Sequence, residues 1–220
     1  GLAVDWLSGN IYWCDASYNS ILAATSDGTR RRVLVQTGAY SSPSGLALHP
    51  EKGLMFWASQ GYPGIGGKIE RATMTGQGRV ALAHRGLVDP RGLALDYADD
   101  RLYWADVITG KIESVTLEGG DRTLLLSAPG TSIKGLAMYQ DYLYYTDWVG
   151  RKVHCVGKSN GREVLHNDLV TIIKNAVFSV PIVSCIHGNH SCAHLCLTTS
   201  AGYECACADG YELKQDNHTC

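Results

Sequence analysis

The fold is decided by the stretch Gly92-Leu93-Ala94, then Tyr103-Trp104-Ala105-Asp106, Lys111–Val115 and Arg122–Leu125, because every piece of it recurs. Gly-Leu-Ala stands at positions 1, 45, 92 and 135, at intervals of 44, 47 and 43. Behind each comes an aromatic pair: Tyr12-Trp13, Phe56-Trp57, Tyr103-Trp104 and Tyr144-Tyr145. The next two residues are Cys14-Asp15, Ala58-Ser59, Ala105-Asp106 and Thr146-Asp147. A third segment follows (Ser20–Ala24, Lys68–Ala72, Lys111–Val115, Lys152–Val156), and after a glycine-bearing turn a fourth (Arg32–Val35, Arg79–Leu82, Arg122–Leu125, Arg162–Leu165). Each unit reads as four short β segments split by turn residues. A helical repeat would need a sustained period of 3.6, which no stretch shows. A four-stranded unit of this length, repeated, is the signature of a propeller blade.

Composition agrees. Of 220 residues, 25 are glycine, and Tyr and Trp together (17) far outnumber the 2 Phe, a profile of strands and turns. Hydrophobic residues make up 45% and charged residues 18%, enough for a packed core. The net charge of −2 offers neither a basic stripe for nucleic acid nor an acidic tail. The longest apolar stretch, 170–183, is broken by Lys174, Asn175 and Pro181, too short for a membrane span. The chain opens at Gly1 with no signal-peptide pattern, so it is expected to be a fragment or a processed piece.

The motif residues have structural work to do. Side chains alternate along a strand, so an aromatic pair sends one ring to each face of a blade. The Asp that follows (Asp15, Asp106, Asp147) is suited to accept backbone N–H groups and pin a turn. Repeat two has Ser59 at that position, and repeat four has Ile133-Lys134 in place of the Pro-x-Gly joint seen at Pro43-Ser44-Gly45 and Pro90-Arg91-Gly92.

Eight cysteines stand at 14, 155, 185, 192, 196, 205, 207 and 220, six of them in the last 36 residues. So short a segment cannot bury a sufficient core, and crosslinks replace it. Six cysteines allow about 15 pairings, among which spacing alone does not choose. A zinc knuckle using His194 is the competing reading, but the cysteine intervals lack paired C-x2-C ligands. Sequons at Asn189 and Asn217 fit a secreted glycoprotein.

The tail resembles an EGF-like module, through Cys192-Ala-His-Leu-Cys196, Gly202-Tyr203-Glu-Cys205-Ala-Cys207 and Gly210-Tyr211. The resemblance implies disulfides Cys185–Cys196, Cys192–Cys205 and Cys207–Cys220. Calcium-binding members carry acidic residues before the first cysteine; here that stretch is Val180–Ser184, so no calcium site, and no cofactor, is expected. The repeats resemble the Tyr-Trp-Thr-Asp (YWTD) propeller of the low-density lipoprotein receptor family, most closely at Tyr144-Tyr145-Thr146-Asp147. In that family a six-bladed propeller is followed by an EGF-like module. The expectation is an all-β chain: a partial YWTD-type six-bladed β-propeller over 1–180, four blades visible, and a disulfide-rich EGF-like module over 185–220. Aligned from the module, these are the last four blades, with 171–178 as the closing strand; a closed four-bladed ring is the alternative. Cys14 and Cys155, in opposite blades, are expected to be unpaired.

No Gly-x-Ser-x-Gly, His-Glu-x-x-His or Walker loop is present. Asp99-Asp100 reads as a solvated turn and His49 as a cap before Pro50, so no enzyme and no metal site is expected. Strands one and three run one way, two and four the other, so the two-to-three and four-to-one loops share a face. That face carries Ser17, Tyr62, Ile108 and Trp148, with Ser44, Arg91 and Lys134 from the joints, and is the expected protein-binding face, Trp148 first. The resemblance implies an endocytic cell-surface receptor segment, extracellular and endosomal, that supports ligand binding and acid-dependent release. Its partners would be extracellular proteins or neighbouring receptor modules, without nucleic acid, and membrane attachment would lie elsewhere in a parent chain. A nidogen-like matrix linker and a Wnt co-receptor propeller are the alternatives.

Overall fold

The computed structural model describes residues 1–164 and 191–220. Four antiparallel meanders follow one another along the chain. Sheet one comprises β1 (Leu2–Val4), β2 (Ile11–Asp15), β3 (Ser20–Ala24) and β4 (Arg31–Gln36). Sheet two comprises β5 (Ser42–His49), β6 (Leu54–Gln60), β7 (Lys68–Thr73) and β8 (Val80–Ala83). Sheet three comprises β9 (Pro90–Asp96), β10 (Arg101–Asp106), β11 (Lys111–Thr116) and β12 (Thr123–Ser127). Sheet four comprises β13 (Ile133–Tyr139), β14 (Tyr142–Asp147) and β15 (Lys152–Gly157). The bridge between Val156 and Glu163 starts the pairing of its fourth segment. The closing strand expected over 171–178 lies outside the described residues, as do Cys185 and Asn189.

The Gly-Leu-Ala repeat is explained by where first strands meet. A Cβ on Gly45 would land on the carbonyl oxygen of Arg91, and one on Gly92 would come within 2.9 Å of that of Lys134. Glycine therefore lets β5, β9 and β13 converge, which makes each sheet a wedge with its narrow edge inward. The Pro-x-Gly joint is a β-bulge: pairing slips between Pro43 and Gly45 in sheet two, and at the equivalent points opposite Trp104/Asp106 and between Ile133 and Leu136.

The aromatic pairs divide between faces as alternation requires. Tyr12 packs in one core cluster with Trp57, Phe56 in the next with Trp104, and Tyr103 in the third with Tyr145. The first ring of each sheet thus meets the second ring of the following sheet, and each large buried ring removes roughly 150–250 Å² from water. Burying these rings between sheets is what holds the row together.

At the C-terminus, β16 (Leu195–Thr199) and β17 (Gly202–Ala206) form a hairpin. Disulfides join Cys192 to Cys205 and Cys207 to Cys220. Cys196 is disulfide-bonded as well. Both candidate metal clusters among the described residues consist of one of these disulfides plus His218 or His194, so their sulfurs are not thiolate ligands. Cys14 and Cys155 are free thiols, as expected. The hairpin docks on sheets one and two, with Leu195, Leu197 and Ala206 in the first core cluster. Asn10 Nδ2 donates to the Cys196 carbonyl (2.6 Å) and Thr198 Oγ1 to Asp5 Oδ2 (2.7 Å). Arg32 donates to the Cys207 carbonyl (2.9 Å), and the Asp209 N–H to the Arg31 carbonyl (2.9 Å).

Asp99-Asp100 is the expected exposed turn, between β9 and β10, and carries ion pairs: Lys158 Nζ reaches Asp99 (2.8 Å) and Asp96 (2.7 Å), while Asp100 takes Lys52 (2.5 Å). One expectation is corrected. His49 stands at the N-cap of the 3-10 turn Pro50–Lys52, but its side chain makes no capping bond. Its ring is buried and packs edge-on against Tyr97 at 5.0 Å.

Candidate ligand-binding face

The aspartates after the aromatic pairs build the two-to-three turns. Asp15 Oδ1 accepts the N–H groups of Ser17 (2.9 Å) and Tyr18 (3.1 Å). Asp106 Oδ1 accepts those of Ile108 (3.1 Å) and Thr109 (3.0 Å), and its Oδ2 those of Val88 (2.7 Å) and Asp89 (3.1 Å) from the preceding four-to-one loop. Asp147 Oδ1 accepts from Val149 (3.0 Å) and Ser132 (3.2 Å). Burial pushes the Asp147 carboxyl up, but the N–H groups of Gly150, Ser132 and Val149 outweigh it and hold the acid below the usual range. These carboxylates are consumed in holding the loops of this face.

The pinned turns raise the predicted residues to the surface. Ser17 and Ile108 are exposed at their tips. Trp148 is 69% exposed, with Lys134 Nζ 4.1 Å above its ring. The bulges re-aim the joint residues toward the same face. Lys134 is exposed, whereas Arg91 Nε is held by Asp89 at 3.0 Å. Ser44 is turned inward: its hydroxyl donates to the carbonyl of Pro90 (3.0 Å), tying β5 to β9. The structure thus brings Lys134 and Trp148 together, sets Tyr62 against Tyr40 with centroids 6.0 Å apart, and leaves Ser17 and Ile108 as separate tips. A groove lined by Thr146–Val149 and Arg151–Val153 adjoins Trp148. On the module, the predicted sequon residue Asn217 is exposed.

Sequence reasoning missed one repeated device. Trp57 faces Glu70 across the ladder, and Trp104 faces Glu113. Glu70 accepts from Trp57 Nε1 (3.1 Å) and from Arg79 (2.9 Å), whose guanidinium lies over the Trp57 ring at 5.6 Å. Arg122 repeats the ion pair with Glu113 (2.8 Å) and lies over Trp104 at 5.3 Å, but Trp104 Nε1 has no hydrogen-bond partner among the described residues. Arg79 and Arg122 also donate to the carbonyls of Thr37 (2.9 Å) and Arg85 (2.7 Å), each in the loop that leaves the preceding sheet. The signal was present as Lys-Ile-Glu at 68 and 111 with Arg nine residues beyond each Glu. In sheet four the same positions hold His154 and Glu163, 2.9 Å apart, with Tyr145 stacked on the imidazole.

Wedge-shaped antiparallel sheets with a crosslinked hairpin on the opposite face define a β-propeller-type module. Residues 9–50 match the family described as Low-density lipoprotein receptor repeat class B, and residues 185–220 that described as Coagulation Factor Xa inhibitory site. The whole chain is similar to the vitellogenin receptor Yl of Drosophila melanogaster (35% identity, 11% of that protein's length). It is similar also to the vitellogenin receptor of Solenopsis invicta (31%, 12% of its length). Three-quarters of the chain (75%) superimposes on 61% of a chain in a nidogen/laminin complex, with a TM-score of 0.69 and 32% identity. Enzymes at 11–20% identity share the fold alone. The chain spans about a ninth of the vitellogenin receptors it matches, and its four repeats are similar to low-density lipoprotein receptor class B (YWTD) repeats, the family model matching over residues 9–50. Among the described residues no helix is long and apolar enough to cross a membrane.

Proposed function

We propose that the chain is a non-enzymatic, extracellular protein-binding segment of an endocytic lipoprotein-receptor-related cell-surface receptor, with vitellogenin as its ligand. One observation carries this. Trp148, with Lys134 on its ring, is presented on the loop face, while the module occupies the turns at the other end of the sheets. An exposed aromatic beside a cation is the chemistry of a binding hot spot. Trp148→Ala is expected to weaken binding of purified vitellogenin to the immobilised chain at least tenfold, read by surface plasmon resonance. Unchanged affinity would remove this face from the ligand site. The likeness to a chain in a nidogen/laminin complex supports a second reading, a matrix linker. Binding of laminin but not of vitellogenin would favour it.

The proposed function includes release in acid, supported by two histidines at the module's junction. His194 Nδ1 accepts the Ala208 N–H (3.1 Å), which a protonated ring cannot do. Burial, then the charge of Arg30, push its pKa below the ordinary value. His49, at the N-cap of the hairpin-facing turn Pro50–Lys52, is lowered by burial and by Lys52, against the pull of Asp100 and Glu51. A histidine whose folded pKa is depressed stabilises the fold above its unfolded value of about 6.5 and loses that contribution as pH falls toward the folded value. Stability should therefore drop between about pH 6.5 and endosomal pH. His194→Asn keeps an acceptor but cannot titrate, and together with His49→Gln it should flatten the drop in urea midpoint. An equally steep drop in the double variant would refute the role of these histidines.

A further inference from the structure

Sheet two breaks the pattern of its neighbours on the loop face. Between second and third strands, sheets one, three and four have four residues each, whereas sheet two has the seven of 61–67, Gly-Tyr-Pro-Gly-Ile-Gly-Gly. The pinning Asp is also absent there: Ser59 stands in its place, and its hydroxyl is buried without a hydrogen-bond partner among the described residues. The longer loop is held by its backbone instead. The Ile65 N–H donates to Tyr62 O (2.7 Å), Gly61 N–H to Val88 O (3.2 Å) and Gly67 N–H to Leu87 O (2.9 Å).

Held this way, the loop shows apolar side chains to solvent. Tyr40 is 63% exposed, Tyr62 45%, Ile65 46% and Val88 46%. The two tyrosine rings meet edge to face. Gly61–Gly66, Leu87 and Val88 line a shallow hollow beside them. Charge in the chain segments that border the hollow is one-sided. Over 37–44, 60–68 and 84–91 the cations are Lys68, Arg85 and Arg91, with His84, and the single carboxylate is Asp89, which Arg91 holds at 3.0 Å. Arg85 and His84 are exposed. Lys68 lies 3.8 Å from Glu70, whose oxygens Trp57 and Arg79 already fill. A locally basic surface on a chain of net charge −2 attracts negative charge. Preorganised aromatic and aliphatic side chains add a site for an apolar anchor, which a sulfated polysaccharide lacks.

We propose that Tyr40, Tyr62, Ile65 and Val88, with Lys68 and Arg85 in the bordering segments, form a docking platform for an acidic protein segment bearing an apolar side chain. This rests on the reading of the loop face as a protein-binding surface and names the chemistry of what binds there. The test uses the full secreted chain and a fluorescent peptide of glutamates and aspartates around a central Leu-Phe, with its lysine counterpart and heparin as comparisons. Anisotropy should show the acidic peptide binding and the lysine peptide not. Raising salt to about 0.5 M should weaken the acidic peptide, because exposed charges are then screened. Tyr62→Ala and Arg85→Glu should each weaken it at least tenfold, while Tyr18→Ala, an exposed tyrosine on sheet one's turn, leaves it unchanged. Circular dichroism and urea midpoints show that each variant is folded. Equal binding of both peptides, tighter binding of heparin, or indifference to Tyr62 would each overturn the proposal. If vitellogenin binding survives in Tyr62→Ala and Arg85→Glu, the platform fails while the receptor reading stands. If the peptide binds and vitellogenin does not, the receptor reading fails alone.

Discussion

Replacing Gly45 with alanine is expected to destabilise the chain by about 3 kcal/mol or more, because overpacking against fixed backbone has no cheap relief. The added methyl would occupy the place of the Arg91 carbonyl oxygen, with Leu93 Cγ 3.3 Å away behind it. That carbonyl cannot retreat easily, since β9 is paired with β10 on its other side and Ser44 Oγ is bonded to the adjacent Pro90 carbonyl. Gly92→Ala, whose methyl would lie 2.9 Å from the Lys134 carbonyl oxygen, should cost less, since a shift of a few tenths of an ångström suffices. Gly64→Ala is the control. Nothing lies within 4 Å of its Cβ position, and the cost there comes from its φ of +84°, about 1–2 kcal/mol. Urea unfolding of the three variants measures the order. If Gly45→Ala unfolds with Gly64→Ala, the inner strands are not in the contact described.

Asp106→Ala should cost about 3 kcal/mol. Asp106 is almost fully buried, and its removal leaves four N–H groups, from two loops, without their acceptor. Each stranded donor costs on the order of 1 kcal/mol or more where water does not reach it. Asp106→Asn retains one acceptor oxygen and should lose about half as much. Hydrogen exchange gives the specific readout: the amides of Val88, Asp89, Ile108 and Thr109 should lose protection together. Loss confined to Ile108 and Thr109 would mean that the carboxylate pins only its own turn.

The sequence shows the wedge and the pins because each is written within one repeat and then written again. Gly45 and Gly92 carry the convergence of strands, the aromatic pairs carry the packing of adjacent sheets, and Asp15, Asp106 and Asp147 carry the turns. What stayed hidden depends on contacts between repeats or on main-chain groups. Lys158 binds Asp96 across a sequence separation of 62, with nothing local to mark the pair. Asn10 and Arg32 hold the module through the carbonyls of Cys196 and Cys207, and a carbonyl is offered by every residue type. On the candidate face, exposure of Ile108 and Trp148 followed from strand direction, but the inward turn of Ser44 did not, because a bulge decides where that hydroxyl points. Ser59 could be seen as a lost aspartate; that the loop after it sets Tyr62 against Tyr40 required the three-dimensional placement.

The hairpin's grip on sheet one also sets an order of assembly. Asp5 waits for Thr198 and Asn10 for Cys196, separations of 193 and 186 residues. At synthesis rates of about 5–20 residues per second, the first sheet emerges on the order of ten to forty seconds before its last partner exists. Through that interval Tyr12, Met55 and Trp57 lack the cover that Leu195 and Leu197 later provide. Chaperone occupancy during translation should centre on this stretch and end when the C-terminal cysteines are oxidised.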